Sequence, residues 1–202
     1  MADEHPPLEH VERGLRATRI LAIRRLLTDK GVITVAEVDD IIERARERTP
    51  ADGAKVVARA WVDDAYKARL LTNARSAVAE LGYRLSHDAE LAVVENTADV
   101  HHLVVCTLCS CYPTSLLGPP PDWYKSFAYR QRAVVEPRAV LREFGLALAG
   151  RVRVAVVDST ADVRYLVLPR RPSGTENMAE DALAELVTRD SMIGVAAARL
   201  PR

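Results

Sequence analysis

The sequence predicts an α+β fold, with a helical N-terminal half and a mixed second half whose cysteines sit where a strand exits into a loop. Three observations carry this. Apolar residues recur at helical spacing through the first part of the chain, from Leu8 to about Gly82. The β-branched runs LAVVEN, HHLVVCT, VRVAVVD and VRYLVLP all lie beyond that point. Hydrophobic residues make up 49% of the 202, enough to form a sizeable core.

Taken in order, LEHVERGLRATRILAIRRLL puts Leu8, Val11, Leu15, Ala22 and Leu26 on one helical face, with Gly31 as a stop. Thr34 and Glu37 have capping-box spacing and open a second helix with Val38, Ile41, Ile42 and Ala45 as its apolar face. Pro50 and Gly53 interrupt the pattern. Residues 1–49 therefore read as a helical arm and residues 50–202 as an α+β domain. AKVVARAWV and DDAYKARLLTNARSAVAELG read as two further helices, the second capped by Asp63 or Asp64 and ended by Gly82. YPTSLLGPPPDWYKS reads as a loop, because three consecutive prolines cannot continue a helix or join a central strand. PRAVLREFG reads as a short helix. VRVAVVD and VRYLVLP are strands about a turn at 158–161. NMAEDALAELVTRD reads as a helix opened by Asn177 and Glu180. No internal repeat or low-complexity segment is evident.

Composition narrows the function classes. Lys+Arg is 28 and Asp+Glu is 28, a balance that argues against a large nucleic-acid or anionic-membrane footprint. No apolar run approaches the roughly 18 residues needed to span a bilayer. The opening MADEHPPLEHVERG lacks a basic n-region and an apolar h-region, so no signal peptide is expected and the expected compartment is the cytoplasm. All three cysteines, Cys106, Cys109 and Cys111, fall within VVCTLCSCYPTS. Such clustering in a reducing compartment points to metal or redox chemistry more than to a disulfide framework.

The Cys109-Ser110-Cys111 spacing has a specific coordination chemistry. If the Ser110 and Cys111 amide nitrogens are deprotonated, two thiolates and two amidates form a square plane through fused chelate rings. Cys106 can supply an axial sulfur, and the opposite axial position stays open. Ser110 is small enough to let the backbone approach. Such a donor set suits trivalent Fe or Co, whereas zinc prefers a tetrahedral site. Three other readings of the spacing stand beside this one. The cysteines could be ordinary buried thiols, a zinc site completed by His101 or His102, or a C-x-x-C redox pair of Cys106 and Cys109.

VCTLCSCYP, followed by LG, PPDWYKS, YR, EPRAVLREFG, DST, RYLVLPRRPSGTE and VTRDSMIGV, resembles the α subunit of nitrile hydratase. Upstream, GAKVVARAWVDDAYKARLL, AVAELG and VVENT fit the same family. The resemblance runs from about Leu8 to Val195. It implies a layered α-β-β-α core, a helical arm that embraces a β subunit, and a catalytic domain that hydrates a nitrile to an amide. It assigns Cys106, Cys109 and Cys111 as thiol ligands and the Ser110 and Cys111 amides as nitrogen ligands. It makes the position of Cys109 a sulfinate and that of Cys111 a sulfenate. Thr107 and Tyr112 match members that use cobalt, so one Co(III) per α subunit is expected, Fe(III) being the second choice, with no organic cofactor. Cys111, Cys109 and Ser110 carry the catalytic expectation, the nucleophile being either the Cys111 sulfenate oxygen or an activated water. Expected partners are a β subunit, as one chain or two, a cobalt-loading activator protein and the nitrile itself.

One departure stands out. The family's Tyr-Pro-Trp becomes Tyr112-Pro113-Thr114 here. Loss of that ring at a substrate-pocket position implies a bulkier or more polar nitrile, such as a nucleoside nitrile of the toyocamycin kind, unless β-subunit side chains fill the space. Asp158 and Arg164 match an acidic–basic pair of the family, read either as support for the metal loop or as a structural ion pair. Adjacent on a strand, His101 and His102 face opposite sides and are expected to be structural. Trp123 is expected in core packing, Trp61 and Tyr66 in helix packing or an interface, Tyr124 in the pocket or a subunit contact, and Arg24 and Arg25 on a solvated face. Two alternative functions remain at this level: the metal-bearing subunit of a thiocyanate hydrolase, and a non-catalytic zinc-binding module.

Overall fold

The computed structural model describes residues 8–86 and 89–201, with side chains from residue 17 onward except 44–46. The described residues form two units, each compact in itself, one ending at Arg44 and the other beginning at Ala45. The first holds α1 (Leu8–Asp29) and most of α2 (Val35–Glu47). Gly31 adopts φ 67° after α1, a left-handed value that suits a residue without Cβ. The box at the start of α2 is formed: Thr34 N donates to Glu37 Oε2 at 2.7 Å and Glu37 N donates to Thr34 Oγ1 at 3.2 Å. Leu8, Val11, Leu15 and Ala45 lie outside the described side chains. Ile20, Leu21, Ile23 and Leu26 of α1 are more than half exposed.

The second unit begins with α3 (Pro50–Val62), α4 (Asp64–Thr72) and α5 (Ala74–Glu80). Here the chain departs from the sequence expectation twice. Pro50 starts α3 instead of interrupting it, because a first-turn proline costs no hydrogen bond, and the Asp52 carboxylate accepts from Thr49 N at 3.0 Å. Gly53 lies inside the helix because a Cβ there would come within 2.2 Å of Leu117 Cδ2, so its absence permits close packing. The long helix expected over 63–82 is two helices. Asp63 caps the first, and the Asn73 side chain accepts from Ser76 N at 3.1 Å to begin the second.

Strands β1 (Glu90–Glu95) and β2 (Val100–Val105) follow, then α6 (Thr114–Leu117), α7 (Asp122–Lys125), α8 (Phe127–Val135) and α9 (Pro137–Glu143). The chain closes with β3 (Arg153–Asp158), β4 (Val163–Leu168), α10 (Glu180–Ala184) and α11 (Arg189–Ile193). The expected proline-rich loop thus contains two helical turns. The expected final helix is two short ones: Asn177 does not cap, Ala179 holds that place, and Glu180 instead meets Arg59 at 3.1 Å. Thr188 and Ser191 form the box that opens α11.

Neither pair of consecutive strands forms a hairpin. β1 pairs with β4, and β2 with β3, both parallel. α4 and α5 lie on β1 and α11 on β4; α8 lies on β2 and α9 on β3; β2 packs against β4. This is the α-β-β-α layering that the resemblance implies. Leu103, Val104 and Val105 at the end of β2 are all fully buried, as a parallel strand covered on both faces requires. Each such side chain contributes about 1.5–3 kcal/mol of burial free energy. The end of β2 is thus a rigid platform, and the cysteines begin at the next residue.

Candidate metal centre

The sulfurs of Cys106, Cys109 and Cys111 all lie within 4.8 Å of one another. Cys109 Sγ is 3.5 Å from Cys106 Sγ and 3.2 Å from Cys111 Sγ, well beyond a disulfide bond length, and all three are free thiols. Cys106 is buried, Cys111 half-buried and Cys109 exposed. The loop curls back on itself, with Cys109 N donating to Cys106 Sγ at 3.3 Å.

Convergence of three thiols perturbs their ionisation. Hydrogen bonds from the Cys111 and Cys106 thiols, and then from the Ser110 amide, lower the Cys109 thiol to about 7. Burial, followed by the hydrogen bonds to Cys109 and Cys106, pushes Cys111 up to about 12, against which Arg164 acts as a nearby positive charge. One negative charge on the cluster is easy to make, and a second next to it is costly. A multivalent cation removes that cost, so the donor set fits a thiophilic transition metal.

Four side chains from three other segments grip the backbone of this loop and of the strand that leads into it. Asp158, at the end of β3, takes two bonds from Thr107: N to Oδ1 at 2.9 Å and Oγ1 to Oδ2 at 2.5 Å. Tyr124 of α7 donates to the Cys111 carbonyl at 2.8 Å. Tyr129 of α8 donates to the Val104 carbonyl at 2.6 Å. Arg130, also of α8, donates through Nη1 to the Cys109 carbonyl. An edge-to-face cluster of Tyr112, Trp123, Tyr124, Tyr129 and Phe144 fixes α7 and α8 against the core, which puts Trp123 in the expected packing role. Tyr124, expected in the pocket or a subunit contact, bonds to the loop backbone, and Tyr129 and Arg130, part of the family-like YR, have no role assigned from the sequence. They reach the loop from the segment that follows the prolines, through contacts that no local spacing encodes.

A cleft of about 260 Å³ opens beside the sulfurs. Cys109, Ser110, Cys111, Thr114 and Arg164 all line it, together with Ser86, Glu90 and Ser115. Arg164 also donates to the Thr160 carbonyl. Asp158 anchors Thr107, and Arg164 lines the cleft. Neither histidine joins the sulfurs. Both side chains bond to Asn96, and His101 bonds also to the Gly194 carbonyl at 2.7 Å. Trp61 donates to the Pro169 carbonyl at 2.8 Å, and Tyr66 is buried. Arg24 pairs with Asp39 at 2.8 Å on an accessible face.

Comparison with known proteins meets this geometry from the other side. The family model described as "Nitrile hydratase, alpha chain" matches residues 15–196. The chain is 52% identical over 186 residues to the α subunit of the low-molecular weight cobalt-containing nitrile hydratase of Rhodococcus rhodochrous, covering 92% of this chain and 90% of that one. It is 40% identical over 187 residues to the γ subunit of thiocyanate hydrolase from Thiobacillus thioparus, covering 87% and 77%. Among solved structures, a double mutant of the Fe-type nitrile hydratase from Comamonas testosteroni Ni1 superposes with a TM-score of 0.83 at 40% identity, over 93% of this chain and 92% of that one. With its three thiols gathered at a strand exit inside the matched region, this chain belongs to the nitrile hydratase α-chain family.

Proposed function

We propose that this chain is the metal-bearing α subunit of a cobalt nitrile hydratase and, with a β subunit, converts a nitrile and water to the amide. The gathering of Cys106, Cys109 and Cys111 within 4.8 Å carries the reading. Those three sulfurs, with the amide nitrogens of Ser110 and Cys111, would hold one Co(III), with Fe(III) as the second choice. Bound there, the ion would act as a Lewis acid that polarises the nitrile carbon.

The chain's own residues account for the rest. Cys106 is shielded and anchors the loop from beneath, while Cys109 and Cys111 face the cleft, where oxidation to sulfinate and sulfenate has room. The nucleophile is the Cys111 sulfenate oxygen or a water held beside it. Arg164 offsets negative charge at Cys111. Thr114 leaves space and adds a hydroxyl in the cleft, which favours a bulky or polar nitrile. Leu108 and Phe127 are 83% and 70% exposed. Leu108 belongs to the metal loop, and the Phe127 ring lies 5.9 Å from the Arg130 guanidinium that holds it. Exposed apolar groups around a reactive centre fit a site completed by a β subunit, formed of one chain or two. No helix among the described residues is long and apolar enough to cross a membrane. The cytoplasm, with an activator protein to load cobalt, is the proposed setting.

One observation favours a second reading. Arg164 places a positive charge in the cleft, as an anionic substrate such as thiocyanate would require, although Glu90 opposes it there. The deciding experiment is metal analysis and intact mass on protein co-expressed with its β partner, followed by turnover assays with a nitrile panel and thiocyanate. Cobalt near one per chain, a mass gain fitting three oxygen atoms and amide formation are expected. Zinc with unmodified cysteines would overturn the proposal, and turnover of thiocyanate alone would replace it with the second reading.

A further inference from the structure

We propose that Arg130 is a positioning residue of the metal loop: by holding the Cys109 carbonyl oxygen, it turns the Ser110 nitrogen toward the three sulfurs. The inference rests on the metal-loop reading above. Its basis is the rigidity of one peptide unit. The described chain has no cis peptide bonds, so the Cys109 carbonyl and the Ser110 N–H belong to one planar trans unit and point in opposite directions. Whatever fixes the oxygen on one side therefore aims the nitrogen at the other. Arg130 Nη1 donates to that oxygen, so the Ser110 nitrogen points to the side of the peptide away from the guanidinium.

Arg130 is itself held firmly. Its Nε is buried without a hydrogen-bond partner, and its guanidinium carbon lies 5.9 Å from the centre of the Phe127 ring. α8, which carries Arg130, also carries Tyr129 and its bond to Val104, so the residue stands on an element already locked to the end of β2. The peptide oxygen shares any negative charge placed on the peptide unit, so a guanidinium there has the favourable sign as well as the right direction.

The other carbonyl grip supplies a built-in comparison. Tyr124 holds the Cys111 oxygen, but the nitrogen across that peptide belongs to Tyr112, which the ligand assignment does not use. A residue that merely braces the loop has the same effect at either place. A residue that aims a donor nitrogen has a distinct effect at Cys109 only.

The test uses the αβ complex loaded with cobalt in cells, as wild type, R130K, R130Q and Y124F. Metal per chain, the rate of metal loss to excess EDTA, the sulfur-to-metal charge-transfer absorption and the melting temperature of the metal-free complex are measured. We expect R130Q to lose metal about 10–100-fold faster, with shifted absorption bands and an unchanged melting temperature. R130K should recover part of the retention, and Y124F should keep the wild-type band positions. If R130Q matches wild type in metal loss and band positions, or if Y124F shifts the bands as far as R130Q does, Arg130 is not a positioning residue. A wild-type complex that holds no metal would instead overturn the metal-centre reading, and this inference with it.

Discussion

Strand β2 carries candidate metal ligands near both ends, and their fates differ. At its start, His101 and His102 are consumed by the protein. His101 Nδ1 meets Asn96 Nδ2 at 3.2 Å, its Nε2 meets the Gly194 carbonyl at 2.7 Å, and Asn96 Oδ1 accepts from His102 N at 2.7 Å. With Nε2 donating to a carbonyl and Nδ1 accepting from an amide, His101 is a neutral ring with both nitrogens spent. Gly194 is fitted to this arrangement: at φ 86°, a Cβ there would fall 2.0 Å from the His102 carbonyl oxygen. At the other end of the strand the bonds run differently. Thr107, Cys109 and Cys111 have their backbone gripped from outside, while the sulfurs face one another. A structural group is one whose polar atoms the fold has already satisfied. A site is one where the fold fixes the frame and leaves the reactive atoms to each other.

The contrast can be broken or sharpened by substitution. The largest effect is expected from Cys111→Ala, which removes one sulfur from the cluster. Metal content and nitrile turnover of the αβ complex should fall to background while the melting temperature of the metal-free form holds. Asp158→Asn comes next. One acceptor is then left for the two bonds from Thr107, and metal retention or turnover should fall about 10–100-fold. Thr114→Trp probes the cleft alone. Its kcat/KM for a bulky nitrile relative to a small aliphatic one should drop about tenfold or more, and an unchanged ratio would remove Thr114 from the specificity argument.

The smallest effect on the metal end should come from the histidine end. His101→Phe strands the Gly194 carbonyl and an Asn96 N–H, at a cost of about 1–3 kcal/mol in urea unfolding, with cobalt per folded chain unchanged. The same residue sets a pH dependence. Burial holds the His101 imidazole below its ordinary value of 6.5. Below 6.5 the unfolded chain takes up a proton that the native chain refuses, so stability is fully present above that value and is lost as pH falls through the lower native one. His102 is also lowered, by burial and then by Arg153. His101→Phe should therefore reduce this acid slope without abolishing it.

Much of this could be read along the chain, and the reasons are local. The box at Thr34 and Glu37, the cap at Asp63 and the stops at Gly31 and Gly82 depend on neighbours a few residues away. So does the crowding of the three thiols. The misreadings share the opposite property. Gly53 stays helical because Leu117 and Met192 press on it from elsewhere in the chain. Glu180 bonds to Arg59, 121 residues away in the chain, instead of closing a cap with Asn177. The grips on the metal loop by Tyr124, Tyr129 and Arg130 arise only when α7 and α8 fold back over β2. The clustering of the three thiols was legible in the sequence, whereas the side chains that grip their loop are set by tertiary structure.

The parallel pairing has a consequence for synthesis. β1 must wait for Val163–Leu168, and β2 for Arg153–Asp158, before either sheet can close. Both pairings are non-local, which slows folding and leaves the strands without partners until late in translation. The thiols leave the ribosome ahead of Asp158 and Arg164, on a strand that still lacks its neighbour. During that interval they are three adjacent reactive sulfurs on an unfinished surface, open to any metal or oxidant at hand. The frame around the thiols is thus a late product: it is completed only after the chain has extended past its last strand.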